Sequence, residues 1–141
     1  EAAIQACSVE ARQKSIEIVT HCSDELVAAI NPPLIEQALV NLLNNAIKYS
    51  QVGGRVIIET ATGDSELFLK VRDFGCGIPE EHLSRLFERF YRVDTARSRE
   101  MGGTGLGLAI VKHIAQAHNG RVEVHSVVDE GTSFTLILPL K

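Results

Sequence analysis

Two pairs of alternating apolar and polar segments, each joined by a short turn, constrain the fold of this chain most strongly. Residues 55–62 and 66–72 flank a Thr-Gly-Asp-Ser turn, and residues 121–127 and 133–138 flank an Asp-Glu-Gly turn. Alternation with a period of two lets one face of each strand enter a core, and short glycine-containing turns favour hairpins. The sequence therefore predicts a largely antiparallel sheet.

Helical patterns surround these hairpins. Apolar residues recur at helical spacing in three segments, at 2–13, 33–49 and 106–118. The remaining predicted elements are two strands and a short helix, at 15–22, 26–30 and 80–87. Asn31-Pro32 predicts the start of the second long helix, and Asn119-Gly120 predicts the end of the third. Because the order lacks a regular βαβ rhythm, we expect an α+β two-layer sandwich with a mixed, largely antiparallel sheet and helices on one face.

Length and composition indicate one globular domain. The chain has 141 residues, of which 45% are apolar and 23% charged. A net charge of −4 and an aromatic content of 5% disfavour a nucleic-acid surface. Three widely spaced cysteines form no CxxC pair and favour a reducing compartment. With no apolar stretch of membrane-spanning length and no signal peptide, we expect a cytoplasmic domain without membrane contact, and its start inside a helical pattern suggests a piece of a longer protein.

A polar stripe follows one side of the second helical segment. Asn41, Asn45 and Lys48 are spaced i, i+4 and i+7, so their side chains lie along one face. A carboxamide oxygen is a neutral hard ligand for Mg²⁺, and an ammonium neutralises phosphate oxygens. The alternative is a solvated helix face, for which asparagine is a poor choice because of its low helix propensity.

A glycine-rich stretch, residues 102–108, runs directly into the third helical segment. Glycines allow close backbone approach to a ligand, and the N–H groups of the following helix start attract anions such as phosphate. The spacing Gly103-x-Gly105-x-Gly107 matches neither the dinucleotide fingerprint nor a Walker loop. The alternative is a flexible loop whose glycines merely pack closely.

Asp73 ends a predicted strand ahead of Gly75 and Gly77. A carboxylate at this position could accept a hydrogen bond from an amino group of a base, with the glycines leaving room for a flat ring. The alternative is an aspartate that caps its own turn. Residues 91–101 form a polar segment long enough to be a lid. We expect residues 91–105 to be mobile without nucleotide and ordered with it.

Together these motifs resemble those of sensor histidine kinases, over essentially the whole chain. In the family's order, they are similar to the N box, the G1 box, the F box, the G2 box and a last, smaller glycine motif, at residues 41–50, 73–79, 87–92, 103–108 and 131–134. The resemblance implies the ATP-binding catalytic domain, with the Bergerat-type fold shared by gyrase, Hsp90 and MutL. It implies binding of ATP and Mg²⁺ and donation of the γ-phosphate to a histidine.

The resemblance also implies roles for individual residues. Asn45 would bind Mg²⁺, Asn41 would support the same site, and Lys48 would contact phosphate, so these three form the catalytic set. Phe87 and Phe90 would anchor the base of the lid, although for each residue taken singly a core role is the better interpretation. The nucleotide-binding set implied is Asn45, Lys48, Tyr49, Asp73, Gly75, Gly77, Ile78, Tyr91, Arg92, Gly103, Thr104, Gly105, Leu106, Gly107 and Thr132.

The phosphoacceptor histidine is missing from this chain. None of its five histidines lies in a His-Glu/Asp-φ-Arg/Lys-Thr-Pro context. We therefore expect residues 1–141 to be a single catalytic domain whose partner is the histidine-bearing dimerisation domain of the same protein, and indirectly a response regulator. ATP-hydrolysing relatives carry a general-base glutamate where Asn41 stands, so slow ATP hydrolysis is expected. The alternatives are a non-catalytic nucleotide-sensing module, or an ATPase or serine kinase of the same superfamily.

Overall fold

A computed structural model describes residues 2–21, 32–63, 65–89, 91 and 107–139 of the chain. In these ranges the elements are α1 (Ala2–Gln13), β1 (Glu17–His21), α2 (Pro32–Tyr49), β2 (Arg55–Thr62), β3 (Glu66–Asp73), α3 (Glu80–Leu83), α4 (Gly107–Ala117), β4 (Arg121–Val127) and β5 (Gly131–Pro139). The predicted strand at 26–30, the predicted cap Asn31 and Cys22 lie outside the described residues.

The strands form one sheet in the order β1-β2-β3-β5-β4. β1 pairs with β2 in parallel, whereas the other three pairings are antiparallel. Both predicted hairpins are present, as β2–β3 and β4–β5. The expectation of a mixed, largely antiparallel sheet is therefore confirmed.

Helices and sheet enclose one hydrophobic core. Leu42 and Leu43 of α2 are fully buried, as is Val56 of β2, and Phe134 of β5 is 2% exposed. The core also takes in residues of α1 and α4. On β3 the alternation predicted from the sequence is visible, because Val71 is buried and Arg72 next to it is exposed.

The short helix after Pro79 ends earlier than the sequence predicts. A helix was predicted over 80–87, but α3 ends at Leu83. Beyond it the N–H groups of Arg85, Glu88 and Tyr91 each bond to the carbonyl three residues earlier, at 3.1, 3.0 and 3.3 Å. A tight, three-residue repeat aligns side chains three apart, which brings Leu83 and Leu86 to the core together.

The end of α4 follows the predicted left-handed cap. Asn119 has a φ of 60°, its N–H bonds to the Gln116 carbonyl at 3.0 Å, and the Gly120 N–H reaches back to Ala115 at 2.8 Å. This pair of bonds is the Schellman motif, which satisfies the last carbonyls of a helix. None of the helices described is long and apolar enough to cross a membrane.

Candidate nucleotide site

Helix α2 carries the polar stripe on the side away from its buried residues. Leu42, Leu43 and Ala46 are buried, whereas Asn41 and Asn45 are only partly buried. The Asn41 side-chain amide donates to the Gly107 carbonyl oxygen at 3.4 Å. That bond directs the Asn41 amide nitrogen to the start of α4.

The start of α4 lies against Asn41. A methyl group added at Gly107 would come within 4.0 Å of the Asn41 Cβ and Cγ atoms, so the two helices approach closely here. The first N–H groups of a helix have no partner within it, and the helix dipole makes this end positive. The polar stripe therefore begins next to an anion-attracting helix end.

Asp73 is the most deeply buried acidic group described, with 3% of its surface exposed. Its Oδ1 accepts the N–H of Gly75 at 2.9 Å and the N–H of Thr132 at 3.3 Å. Asp73 thus caps its own turn, as the alternative interpretation held. Within the described residues both bonds go to Oδ1, so Oδ2 remains as an acceptor for a ligand.

Burial raises the pKa of Asp73 above its ordinary value, because desolvation of the carboxylate outweighs the two backbone hydrogen bonds, which lower it. A carboxyl group with a raised folded-state pKa stabilises the fold while it is protonated. That contribution is fully present below the ordinary pKa of 3.8 and is lost as the pH rises through the folded-state pKa.

The Asp73→Asn variant should remove this pH dependence. We expect the stability of the ligand-free wild type, relative to the variant, to fall as the pH rises from about 3.8 through the folded-state pKa, and then to level off. Urea unfolding at a series of pH values measures it. A wild type that gains stability relative to the variant over this range would show that the backbone hydrogen bonds outweigh burial.

Gly75 packs the loop of residues 73–79, the Asp73 loop, against the end of α2. A methyl group at Gly75 would overlap the Tyr49 carbonyl oxygen and lie 2.8 Å from the carbonyl carbon. Only a residue without a Cβ permits this contact. Lys48, which precedes Tyr49, places its Nζ 5.4 Å from the Tyr49 ring centroid.

Gly77 and Ile78 fasten the same loop to the β4–β5 hairpin. Gly77 has a φ of +73°, and a methyl group there would overlap the Val127 carbonyl oxygen. The N–H of buried Ile78 donates to the Ser126 hydroxyl at 2.7 Å, and that hydroxyl lies 2.7 Å from the Thr132 hydroxyl. Sequence reasoning missed Ser126, because a serine on an alternating strand gives no signal of such a contact.

Tyr91, at the start of the predicted lid, contacts α3 and the segment that follows it. Its hydroxyl hydrogen-bonds to His82 Nδ1, and the Arg85 guanidinium lies 4.5 Å from its ring centroid. Phe87 packs edge-on against Phe134 with centroids 6.1 Å apart, which is a core contact. The remaining predicted positions, Phe90, Arg92, Gly103, Thr104, Gly105 and Leu106, lie outside the described residues.

Lys14 is a second residue that sequence reasoning missed. Its ammonium donates to the carbonyl oxygens of Ile47, Lys48 and Ser50 at 2.8, 3.0 and 2.6 Å. A cation at the C-terminal end of a helix satisfies unpaired carbonyls and opposes the helix dipole. Lys14 therefore holds the end of α2 where the Asp73 loop contacts it.

The described site residues form two groups joined by α2. Asn41 meets Gly107 at one point of the helix, and Tyr49 meets Gly75 eight residues later. At the usual helical rise that separation is about 12 Å, which suits an extended nucleoside triphosphate. Asp73, Gly75, Gly77, Ile78 and Thr132 gather at the Tyr49 end.

Comparison with known proteins identifies the class. Residues 30–141 match the family described as histidine kinase-, DNA gyrase B-, and HSP90-like ATPase. The match covers most of the chain, and the chain belongs to this family. The resemblance to sensor histidine kinases and the predicted fold class are confirmed.

Individual relatives among the matches are histidine kinases. The sensor histidine kinase WalK of Bacillus subtilis (strain 168) is 41% identical over 133 residues, which are 92% of this chain and 22% of WalK. The solved structure of the mycobacterial sensor histidine kinase MprB is 32% identical, with a TM-score of 0.81, and covers 97% of this chain and 92% of that chain. Full-length ShkA, solved in complex with AMPPNP, is 30% identical, with a TM-score of 0.81 over 98% of this chain and 28% of that chain.

These matches place the chain among domains of protein-histidine kinases, which are transferases. The chain spans 22% of the length of WalK. The matches therefore assign this chain to one domain of such kinases, and they do not by themselves assign to it the activity of a whole sensor kinase.

Proposed function

We propose that this chain binds Mg-ATP and donates the γ-phosphate to a histidine on a separate dimerisation domain of its parent sensor kinase. The observation that carries the proposal is the placement of α2 between two sites of different chemistry. At one end Asp73 offers a buried acceptor for an amino group, and at the other Asn41 lies beside the start of α4. In this proposal, base recognition at Asp73 and phosphate binding beside α4 are about 12 Å apart along α2.

Adenine is the base that Asp73 fits. The exocyclic amino group of adenine is a donor, and the free Oδ2 of Asp73 is an acceptor in a buried site. Gly75 and Gly77 keep the loop beside Asp73 in close contact with the backbone of α2 and β4, which fixes the position of this loop. The AMPPNP bound in ShkA supports an adenine nucleotide.

Asn45 fits a magnesium ligand by its chemistry. Its carboxamide is partly buried on the polar stripe of α2, one turn beyond Asn41. No group of three His, Cys, Asp or Glu side chains suited to a metal is found among the residues described. When bound, Mg²⁺ would neutralise charge on the phosphate oxygens, and Asn45 would hold it with the phosphates as co-ligands.

For phosphoryl transfer, the chain has to position the triphosphate and stabilise its charge. A histidine ring nitrogen attacks the γ-phosphorus, the bond from that phosphorus to the bridging oxygen breaks, and ADP leaves with the electron pair. The chain's own part is electrostatic: Lys48 and the N–H groups that begin α4 face the phosphate charge. Arg92 and the glycine stretch 102–106 complete this cradle in the proposal.

The same geometry argues against fast hydrolysis. Asn41 stands where hydrolysing relatives carry a base, a carboxamide takes no proton, and its amide nitrogen already donates to Gly107. We therefore propose that the γ-phosphate is kept for the protein acceptor. The parent kinase, with this domain in the cytoplasm, would then pass the phosphate to a response regulator.

Phosphotransfer in trans tests the proposal. The chain is mixed with γ-labelled ATP and the separately produced dimerisation domain of the parent kinase. We expect label on the histidine of that domain. With Asn45→Ala we expect transfer at about one hundredth of the wild-type rate or below, because the residue proposed to hold the magnesium ion is gone.

Asn44→Ala is the matched control. Asn44 is the neighbouring asparagine on α2, but it is exposed and its Oδ1 lies 3.4 Å from the buried Cys7 thiol instead. Transfer by Asn44→Ala should equal that of the wild type. ATP binding without any transfer would favour the sensing module, and steady-state hydrolysis that Asn45→Ala abolishes would favour an ATPase.

A further inference from the structure

Ser126 occupies an inward-facing position of β4 that alternation would assign to an apolar residue. On this strand Val122, Val124 and Ser126 are partly buried, while the residues between them are exposed. Its cross-strand partner on β5 is Thr132. A hydroxyl at such a position requires hydrogen-bond partners.

The Ser126 hydroxyl has three of them. The Ile78 N–H lies 2.7 Å away, the Thr132 hydroxyl 2.7 Å, and the Gly131 carbonyl oxygen 3.1 Å. A serine hydroxyl can donate once and accept twice. Ile78 can only donate and the Gly131 carbonyl can only accept, so all three bonds form together only if Thr132 donates to Ser126.

This arrangement fixes the polarity of the Thr132 hydroxyl. Its single proton is committed to Ser126, and among the described residues it has no other partner. Towards a ligand, Thr132 therefore presents lone pairs and acts as an acceptor. The Thr132 N–H donates to Asp73 Oδ1 at 3.3 Å. Two residues along the two strands, Val71 and Phe134 are paired and buried, so the side chains of Asp73 and Thr132 lie on that same face of the sheet.

The same network closes both ends of the Asp73 loop. Asp73 Oδ1 holds the Gly75 N–H at 2.9 Å near its start, and Ser126 holds the Ile78 N–H at its end. We propose that Ser126 is a positioning residue that makes the proposed base site at Asp73 and Thr132 selective for a 6-amino purine over a 6-oxo purine. Adenine offers a donor at that position and guanine an acceptor.

The inference rests on the proposed function and extends it to base selectivity. With Asp73 and Thr132 both presented as acceptors, a guanine that docks in the orientation of adenine would place its oxygen against lone pairs on two sides. Removing the Ser126 hydroxyl frees the Thr132 proton, which could then point at the guanine oxygen. It also leaves the Ile78 N–H without its acceptor.

Calorimetric titration with ADP and with GDP tests the inference. Ser126→Ala should lower ADP affinity about tenfold, because the Ile78 end of the loop loses its hydrogen bond and ADP binding would have to order it. The preference for ADP over GDP should fall as well, since GDP gains a donor. Ser126→Thr keeps the hydroxyl on a strand position that favours a β-branched residue, and should restore both values.

Ser133→Ala is the matched control, because Ser133 is a buried serine on β5 without a side-chain hydrogen bond in the described part of the chain. It should bind both nucleotides as the wild type does. Equal losses for ADP and GDP in Ser126→Ala, unchanged ADP affinity, or a Ser126→Thr variant as weak as alanine would each overturn the inference.

A second variant at Ser126 and a separate test of the proposed nucleotide site complete the experiment. If Ser126→Ala fails to fold, Ser126→Cys takes its place: a thiol is a poor acceptor, so the same losses are expected, and wild-type behaviour would overturn the inference. Wild-type binding of ADP and its loss in Asp73→Asn establish the proposed site separately. A wild type that binds neither nucleotide would refute the proposed function itself.

Discussion

Replacing Asp73 with asparagine should lower ADP affinity by about 100- to 10,000-fold, the largest binding effect expected of a single substitution in this chain. The change removes a hydrogen bond to a charged acceptor, worth roughly 1.5–3 kcal/mol. It also allows an amide donor to face the amino group of adenine, which costs roughly another 1–3 kcal/mol. Since each 1.4 kcal/mol is about tenfold in affinity, the sum gives the stated range. Isothermal calorimetry with ADP measures it directly.

The fold should survive this substitution. The asparagine side chain of the Asp73→Asn variant would retain an Oδ1 for the N–H groups of Gly75 and Thr132, and the variant would no longer bury a charge. Asp129→Asn is the control, because Asp129 is exposed on the β4–β5 turn with a φ of 68°, which asparagine tolerates. Asp129→Asn should bind ADP normally. Unchanged ADP affinity in Asp73→Asn would remove Asp73 from the site.

The Gly77→Ala substitution should produce a large loss of folding stability, about 2–5 kcal/mol. A φ of +73° costs an L-residue roughly 1–2 kcal/mol. The added methyl group would also overlap the Val127 carbonyl oxygen and lie 2.8 Å from the Val128 Cα atom. Both contacts are with backbone, which can yield only if the hairpin moves, and forced repacking of this kind costs roughly 1–3 kcal/mol more.

The Gly53→Ala variant separates the conformational cost of a positive φ from the cost of the backbone overlap. Gly53 has a φ of +79° with no atom within 4 Å of the position of an added methyl group. It should therefore lose only the conformational part, about 1 kcal/mol. Urea unfolding of both variants gives the difference. Equal losses would mean that the contact between the Asp73 loop and β4 is not rigid.

The elements of this fold could be predicted where local chemistry decides them. The β2–β3 hairpin and the Asn119 cap follow from turn residues that favour specific backbone angles. The segment after Pro79 is predicted as a longer helix, but its local sequence allows a tight turn as well and does not decide where the helix ends. Tertiary contact with the core, rather than local preference, decides between the two.

The site could be predicted only in part, for a similar reason. Asp73, Gly75 and Gly77 are close in sequence, and their arrangement around a turn follows from their types. Ser126 and Lys14 act on groups 48 and 33 to 36 residues away, and mostly on backbone N–H and carbonyl groups. Every residue has these groups, so no pattern of side chains indicates where they will be needed.

The contact of α1 with α2 makes the folding unit larger than the family match. That match begins at residue 30, yet Ala3, Cys7 and Ala11 are buried upstream of it. A fragment trimmed to the match would expose the surface of α2 that these residues cover. It would also leave the last carbonyls of α2 without the Lys14 ammonium. The boundary useful for protein production is therefore set by buried surface and lies before α1.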